Sequence, residues 1–478
     1  MDIKKRAINS GKWVTFSTVF QTVLQFGQIA VLARILTPEI FGIVALSNIV
    51  VIFFGIFANL GFTNSIIYKQ EKDQNILSTV YYVNILLGFI IFLIIYLVSP
   101  YIVSFYEEPR LSKVLSISSL VFLFVYFGSV YSILLKKELR FKSVALIDVI
   151  GNLIGTSFTI YFAYSGFEEL SLVYGGLITH FIRTVAEIIF GRDLFLPRFY
   201  FKLSEIKDHL KFGLFNFGEN FISYIQDNWD NIIIGKILGP KYLGIYSLAI
   251  QLAVYPITKL NPIVLQVAYP VIAKMKDDPV VLKRMYLKIL DILSYFNFPL
   301  LAGLYITVES VVPLVYGPGW EQTFPLIRIF VFVAAMSCLS HPLFTLVYSK
   351  GKPNYLFYLN LLTLGIKIPI VYFFGTYWHI NGIAYALLLT TFIHTTLNFL
   401  IVDNLIGSFF RSFLRELVKP VIFCLVMIFF VFLYKYFVGS SGWYNAIIEI
   451  AIGGTTYLVF TLLFKYTIAD VKEIRKSL

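Results

Sequence analysis

The chain has 478 residues, of which 58% are hydrophobic and only 14% charged, with a mean hydropathy of +0.80; an ordinary soluble domain carries about 25% charged residues. This composition excludes a soluble enzyme, and the net charge of +12 has no folded soluble domain on which to form the cationic face that nucleic acid needs. Runs such as YYVNILLGFIIFLIIYLVSP (81–100) and PVIFCLVMIFFVFLYKYFVG (420–439) reach the roughly 20 residues that cross a bilayer core. They are continuously apolar rather than alternating, so they are helices and not barrel strands.

In chain order, fourteen spans are expected at 13–35, 41–65, 79–100, 113–135, 144–165, 171–190, 213–237, 243–268, 286–307, 322–347, 355–375, 381–402, 416–437 and 444–464. The basic start, MDIKKRAINSGKW, leads into a full-length apolar run with no small-residue cleavage site, so the first span is read as retained rather than as a signal peptide. The amino terminus, every second loop after it (69–72, 136–142, 192–211, 274–284, 350–352, 411–419) and the tail from 465 hold 28 of the 39 Lys and Arg. By the positive-inside rule both termini are cytoplasmic.

ARILTPEIFGIVAL (33–46) is nearly rewritten as GKILGPKYLGIYSL (235–248), with identities at Ile35/Ile237, Leu36/Leu238, Pro38/Pro240, Gly42/Gly244, Ile43/Ile245 and Leu46/Leu248 and a cation at Arg34/Lys236. An even number of spans separates the copies, which makes this a parallel repeat. Weaker echoes continue it, FYEEPR (105–110) with VYGPGW (315–320) and LKKELRF (135–141) with YSKGKPN (348–354). The expected fold is thus all-α and integral to the membrane: two pseudo-symmetric six-helix lobes, 1–200 and 201–405, around a central cavity, with two further helices and a tail at 406–478. The linker 191–212 alternates aromatic and charged residues, as suits a helix or strand at the membrane interface.

A charge at mid-membrane costs at least about 2.5 to 3.5 kcal/mol on insertion scales, so each one needs a reason. Lys367, in LLTLGIKIPIVYFF, is too deep to snorkel fully, and a cavity-facing role is favoured over a buried structural pair. Lys259 lies between Pro256 and Pro262, whose freed carbonyls call for a water-lined helix. Arg183 has Glu187 one turn onward, so an internal pair and a ligand role stand side by side. Arg328, Arg34 and Lys236 lie near span ends and are either cavity cations or helix-end cations complementing the dipole. Span seven carries Glu219, Asp227 and Asp230 in one polar stripe, and Asp148 joins them; these acids are counter-ions, coupling-ion sites or partners for sugar hydroxyls. The five histidines do not cluster in the sequence, and each reads as a satisfied polar residue. Cys338 and Cys424, without CxxC or Cys/His spacing, read as small core residues. No metal, cofactor, hydrolase or nucleotide motif occurs.

LARILTPEIFGIVAL, FANLGFTNSIIYKQ (57–70), DNIIIGKILGPKYLGIYSLA (230–249) and VLQVAYPVIAKMKDD (264–278) resemble the polysaccharide transporter branch of the multidrug/oligosaccharidyl-lipid/polysaccharide exporter superfamily, the Wzx-type flippases. The resemblance runs to about residue 405, and Arg34, Leu36, Pro38 and Gly42 are its most specific part. It implies a flippase of the bacterial inner membrane that carries an undecaprenyl-pyrophosphate-linked oligosaccharide to the outer leaflet by alternating access, without ATP, through a cationic cavity. Lys367, Lys259, Arg328, Arg183, Arg34 and Lys236 are the cations expected to hold the pyrophosphate. The expected partners are the lipid-linked oligosaccharide and membrane lipids, with a polysaccharide polymerase and glycosyltransferases as protein partners. Two rivals are a cation-coupled drug exporter of the same superfamily, using Asp148 or Asp230, and a membrane glycan polymerase or ligase. The basic cavity set argues against the first, and short outer loops argue against the second.

Overall fold

A computed structural model of the chain describes residues 3–58, 62–275, 278–352, 354–439 and 442–465, with side chains for all of these except 3–10, 58, 62–64, 208–217, 219, 259–260, 263, 266–267 and 270–271. Sixteen α-helices run through the described residues, and no strand occurs among them. They are α1 (Ile3–Leu32), α2 (Pro38–Ala58), α3 (Phe62–Lys69), α4 (Gln74–Tyr106), α5 (Arg110–Ser118), α6 (Val121–Lys137), α7 (Phe141–Tyr164), α8 (Glu169–Gly191), α9 (Lys207–Ile237), α10 (Pro240–Lys274), α11 (Pro279–Tyr316), α12 (Thr323–Ser340), α13 (Pro342–Ser349), α14 (Asn354–Ile406), α15 (Phe410–Val438) and α16 (Trp443–Phe464). Ten helical stretches among the described residues are long and apolar enough to span a membrane, so the all-α membrane fold stands while the count of fourteen is not confirmed. One reason is α14: its 53 residues cover both expected spans eleven and twelve and are bent sharply at Trp378 and His379, where His379 has φ +51°.

Local chemistry explains where the helices begin and break. Asp73 caps α4 by accepting from the Asn75 amide, and Asp278 caps α11 by accepting from the Val280 and Val281 amides, filling donors that have no helical partner. Within α4, Ser78 and Thr79 donate to the carbonyls of Gln74 and Asn75, so their hydroxyls are satisfied without water, as hydrocarbon requires. The fourth expected span is two pieces, α5 and α6, and the tenth is α12 and α13, jointed at His341. There Pro342 has no N–H to give the carbonyl four residues back.

The chain divides into two compact units, Met1–Gly244 and Ile245–Leu478. Span seven, which the repeat assigns to the second half, packs as α9 against α2 and α3 in the first unit. Repeat and packing therefore divide the chain at different places.

In the first unit the two copies of the repeated motif meet. A Cβ on Gly42 would lie 1.8 Å from the Pro240 carbonyl oxygen, and one on Gly244 would lie 1.8 Å from the Pro38 carbonyl oxygen. The Pro-x-x-x-Gly of each copy thus presses its bare glycine onto the backbone of the other, a close approach that no side chain permits. The linker after α8 departs from its expectation over part of its length, since 203–206 form a 3-10 helix and α9 begins at Lys207. Residues 195–202 are neither helix nor strand; they are pinned by the Arg198 amide donating to Ser78 Oγ (3.0 Å) and Gln74 Nε2 donating to the Leu194 carbonyl (3.1 Å). Phe195 is buried edge-on between Tyr81 and Tyr131, while Leu196, Phe199 and Phe201 stand exposed. Both cysteines are free and buried, as core residues should be.

Candidate functional site

In the first unit, small residues bring α7 and α8 together. A Cβ on Gly155 would lie 1.7 Å from Thr179 Oγ1, and one on Gly175 would lie 1.8 Å from Thr159 Oγ1, the close-packing mode that membrane helices use. A third glycine, Gly151, leaves the space taken by the Arg183 side chain, whose Cγ would be 2.6 Å from an added Cβ. Arg183 crosses there to Asp148, Nη2 to Oδ1 at 3.0 Å, with side chains 26% and 31% exposed. The acid that pairs with Arg183 is therefore Asp148 on the next helix. Glu187 instead hydrogen-bonds Ser132 and lies against Gly128. Arg183 Nε is buried and has no hydrogen-bond partner, so the guanidinium keeps one unused donor. Thr156, on the same helix as Asp148, donates to Gln28 Oε1 of α1 at 2.9 Å.

The repeat-related cations sit at helix ends. Arg34 lies exposed in the turn after α1. Lys236, in the last turn of α9, pairs with Glu107 at 2.8 Å and lies over the Phe105 ring at 5.3 Å. That hydrogen bond and charge hold the Glu107 carboxyl below the usual carboxylate range. On α9, Asp230 is buried and Asp227 exposed; the side chain of Glu219 lies outside the described residues. An apolar groove of about 380 Å³ runs between α2, α4 and α9, lined by residues that include Phe53, Ile102, Phe105 and Ile232. Tyr224 closes one wall by donating to the Ile49 carbonyl at 2.6 Å.

In the second unit, Lys367 is half-buried in α14, two residues before Pro369. The side chain of Lys259 lies outside the described residues, though its backbone is in α10. Arg328 Nη2 meets Glu309 Oε1 at 2.6 Å, and Lys435 Nζ approaches Glu309 Oε2 at 3.4 Å and donates to the Ile306 carbonyl at 3.0 Å. Beside this triad Glu449 is fully buried and accepts from Ser310 Oγ at 2.9 Å. Sequence reading missed Glu309, Lys435 and Glu449 as a group because they stand on α11, α15 and α16; an acid near the end of an apolar run was the only signal. Among the described residues no three His, Cys, Asp or Glu are arranged to hold a metal ion.

Residues 31–325 match the family described as "Polysaccharide biosynthesis protein". The chain belongs to this family. Another relative bears on the same point: the chain is 30% identical over 462 residues, covering 96% of itself and 95% of the other, to an "Uncharacterized membrane protein in cps region" of Klebsiella pneumoniae. It is 29% identical over 421 residues to the "Lipopolysaccharide biosynthesis protein WzxC" of Escherichia coli K12, covering 88% of this chain and 86% of that one. Among solved structures, "Lipid II flippase MurJ, inward closed conformation" superposes with a TM-score of 0.79 at 16% identity, covering 96% of this chain and 98% of that one. This chain and that solved structure thus share one all-α fold over nearly their whole lengths.

Proposed function

We propose that the protein is a flippase that carries an undecaprenyl-pyrophosphate-linked oligosaccharide from the cytoplasmic to the outer leaflet of the bacterial inner membrane by alternating access, with both termini cytoplasmic. The observation that carries this reading is the Arg183–Asp148 pair inside the bundle, with Arg183 Nε still unsatisfied. A pyrophosphate with a glycan cannot cross about 30 Å of hydrocarbon unaided. A guanidinium can replace its hydration with paired hydrogen bonds, and one already neutralised by an aspartate is affordable at that depth. The headgroup then exchanges for Asp148 rather than filling an empty charge. Lys367, half-buried in the second unit, is the proposed second contact, and Lys259, Arg328, Arg34 and Lys236 complete the proposed set. The two repeat-derived lobes, 1–200 and 201–405, are the moving parts, with 406–478 an appendage. Asp230, Asp227, Glu219 and Asp148 are the acids through which an ion could couple. The apolar groove suits isoprenoid hydrocarbon.

The relatives and structural neighbour named above are biosynthesis-linked membrane proteins and a flippase, which supports transport over a polymerase or ligase activity. The test is surface glycan in cells that depend on this chain. Arg183→Ala and Lys367→Ala are expected to abolish it and to leave lipid-linked oligosaccharide in the inner leaflet, with normal membrane levels of the protein. Wild-type surface glycan in both variants refutes the reading.

A further inference from the structure

The second unit holds a polar network in the middle of its apolar helices that the transport reading does not use. His341, at the joint between α12 and α13, meets Asn261 of α10, Nδ1 to Nδ2 at 2.7 Å. Asn261 Oδ1 accepts from Asn297 Nδ2 of α11 at 2.9 Å, and the same Asn297 nitrogen donates to the Leu293 carbonyl at 2.9 Å and to Cys338 Sγ at 3.2 Å. On the other side of the joint, Asn398 Nδ2 of α14 donates to the Ser340 carbonyl at 3.0 Å, and Ser340 and Thr395 hydroxyls are 3.0 Å apart. Asn261 and Asn297 are essentially without exposure.

The roles in this chain of bonds are fixed from one end. A backbone carbonyl only accepts, so the Asn297 atom facing Leu293 must be its amide nitrogen. Asn261 must then present its oxygen to Asn297 and its nitrogen to His341. A donor therefore faces His341 Nδ1, which must accept, and the imidazole is neutral with its proton on Nε2. The network is also short of donors: Asn297 Oδ1 and Asn398 Oδ1 are both buried with no partner, an unusual cost in an apolar setting. Among the described residues, His394 on α14 is close enough to His341 to act on it electrostatically, and Cys338 on α12 joins the network through Asn297; α10 and α11 present Asn261 and Asn297, and the side chain of Lys259 lies outside the described residues. No carboxylate among the described residues pairs with either imidazole.

We infer that His341 is a proton-binding site that latches the joint of the tenth span. With the imidazole neutral, Asn261 holds it and α12 and α13 are tied to α10 and α11. When a proton from water adds to the Nδ1 lone pair, two donors face each other at hydrogen-bond distance, the Asn261 bond breaks and the joint, already lacking one backbone bond at Pro342, is released. The closed latch and the neutral ring are one state; the open latch and the imidazolium are the other. Lowering the pH opens it. As the coupling site of a flippase this rests on the function proposed above; the latch itself does not depend on the substrate.

The test uses the full chain in lipid nanodiscs without glycan, so its failure is separate from failure of the export assay. Nitrogen-15 NMR of histidine-labelled protein, assigned with His341→Asn, is expected to show His341 at pH 8 as the tautomer with bare Nδ1. Hydrogen exchange over 334–348, corrected for the intrinsic rate, is expected to speed at least tenfold between pH 8 and pH 5, and to lose that dependence in His341→Asn. In Asn261→Asp a carboxylate faces the ring, and the midpoint is expected to move up by about one pH unit or more. A proton found on Nδ1 at pH 8, or exchange indifferent to pH in the wild type, overturns the inference. Should both variants fail to fold, the wild-type exchange profile over 334–348, which needs no histidine assignment, decides it alone.

Discussion

A charge inside a membrane protein is tolerable when its partner is already in place, and Arg183 shows how much hangs on one aspartate. Removing Asp148 leaves a guanidinium facing an apolar bundle, whereas removing both groups leaves a packing problem only. Breaking a fully buried pair costs about 3 to 5 kcal/mol; at 26% and 31% exposure solvent screening lowers this to roughly 1 to 3. Asp148→Asn is expected to lower the melting temperature in nanodiscs, and Asp148→Leu with Arg183→Leu to recover most of the loss while glycan export stays absent. A double variant as unstable as the single one would show that the pair is not the coupled unit. At the C-terminal end of α9 the sign with pH is different in kind from that at His341. Because Lys236 holds Glu107 below the usual carboxylate range, that ion pair is present above the unfolded carboxylate value near 4.3 and is lost only as pH falls through the lowered one. Replacing Glu107 by Gln is therefore expected to change thermal stability by a constant amount above the unfolded carboxylate value, with the difference shrinking below about pH 4.3 and vanishing once pH is under the lowered value.

Among elements, the repeated motif and the α7/α8 pair rest on glycines of different duty. Gly42 and Gly244 each face a carbonyl oxygen 1.8 Å from where a Cβ would sit. Backbone cannot step aside as a side-chain tip can, so Gly42→Ala and Gly244→Ala are expected to cost more than the roughly 1 to 3 kcal/mol of ordinary overpacking. Gly27, with nothing within 4 Å, is the internal control, and Gly27→Ala is expected to melt within about 1 kcal/mol of wild type. Comparing detergent melting curves of the three variants checks this; equal behaviour would mean that the motif does not carry the crossing. The periodic letters revealed the repeat, but not that its copies touch. That contact depends on where α10 begins relative to α2, a distance no local pattern encodes. Likewise the glycines of GNLIGTSFT and the threonines of α7 and α8 were visible as small residues, while their pairing across the helices was not.

For the whole molecule, the charge skew of the loops predicts sidedness. Single cysteines at Lys69, Lys72 or Lys352 are expected to react with impermeant maleimide only after the cytoplasmic face is opened; labelling of intact cells at any of them would reverse the topology. The same skew, the long apolar runs and the duplicated ARILTPEIFG motif sufficed for an all-α membrane fold of its family, because the bilayer forces backbone groups to pair within each span and so makes hydropathy nearly a structural rule. What the linear chain left open was decided by packing. Which acid neutralises Arg183, why Arg328 is clamped by Glu309 rather than free, and that His341 is gripped by asparagines from two other helices all follow from rotation and register of helices about one another. Those are set by many small contacts far apart in sequence, so the sequence by itself determined which segments enter the membrane, and only the tertiary structure decided which polar groups meet inside it.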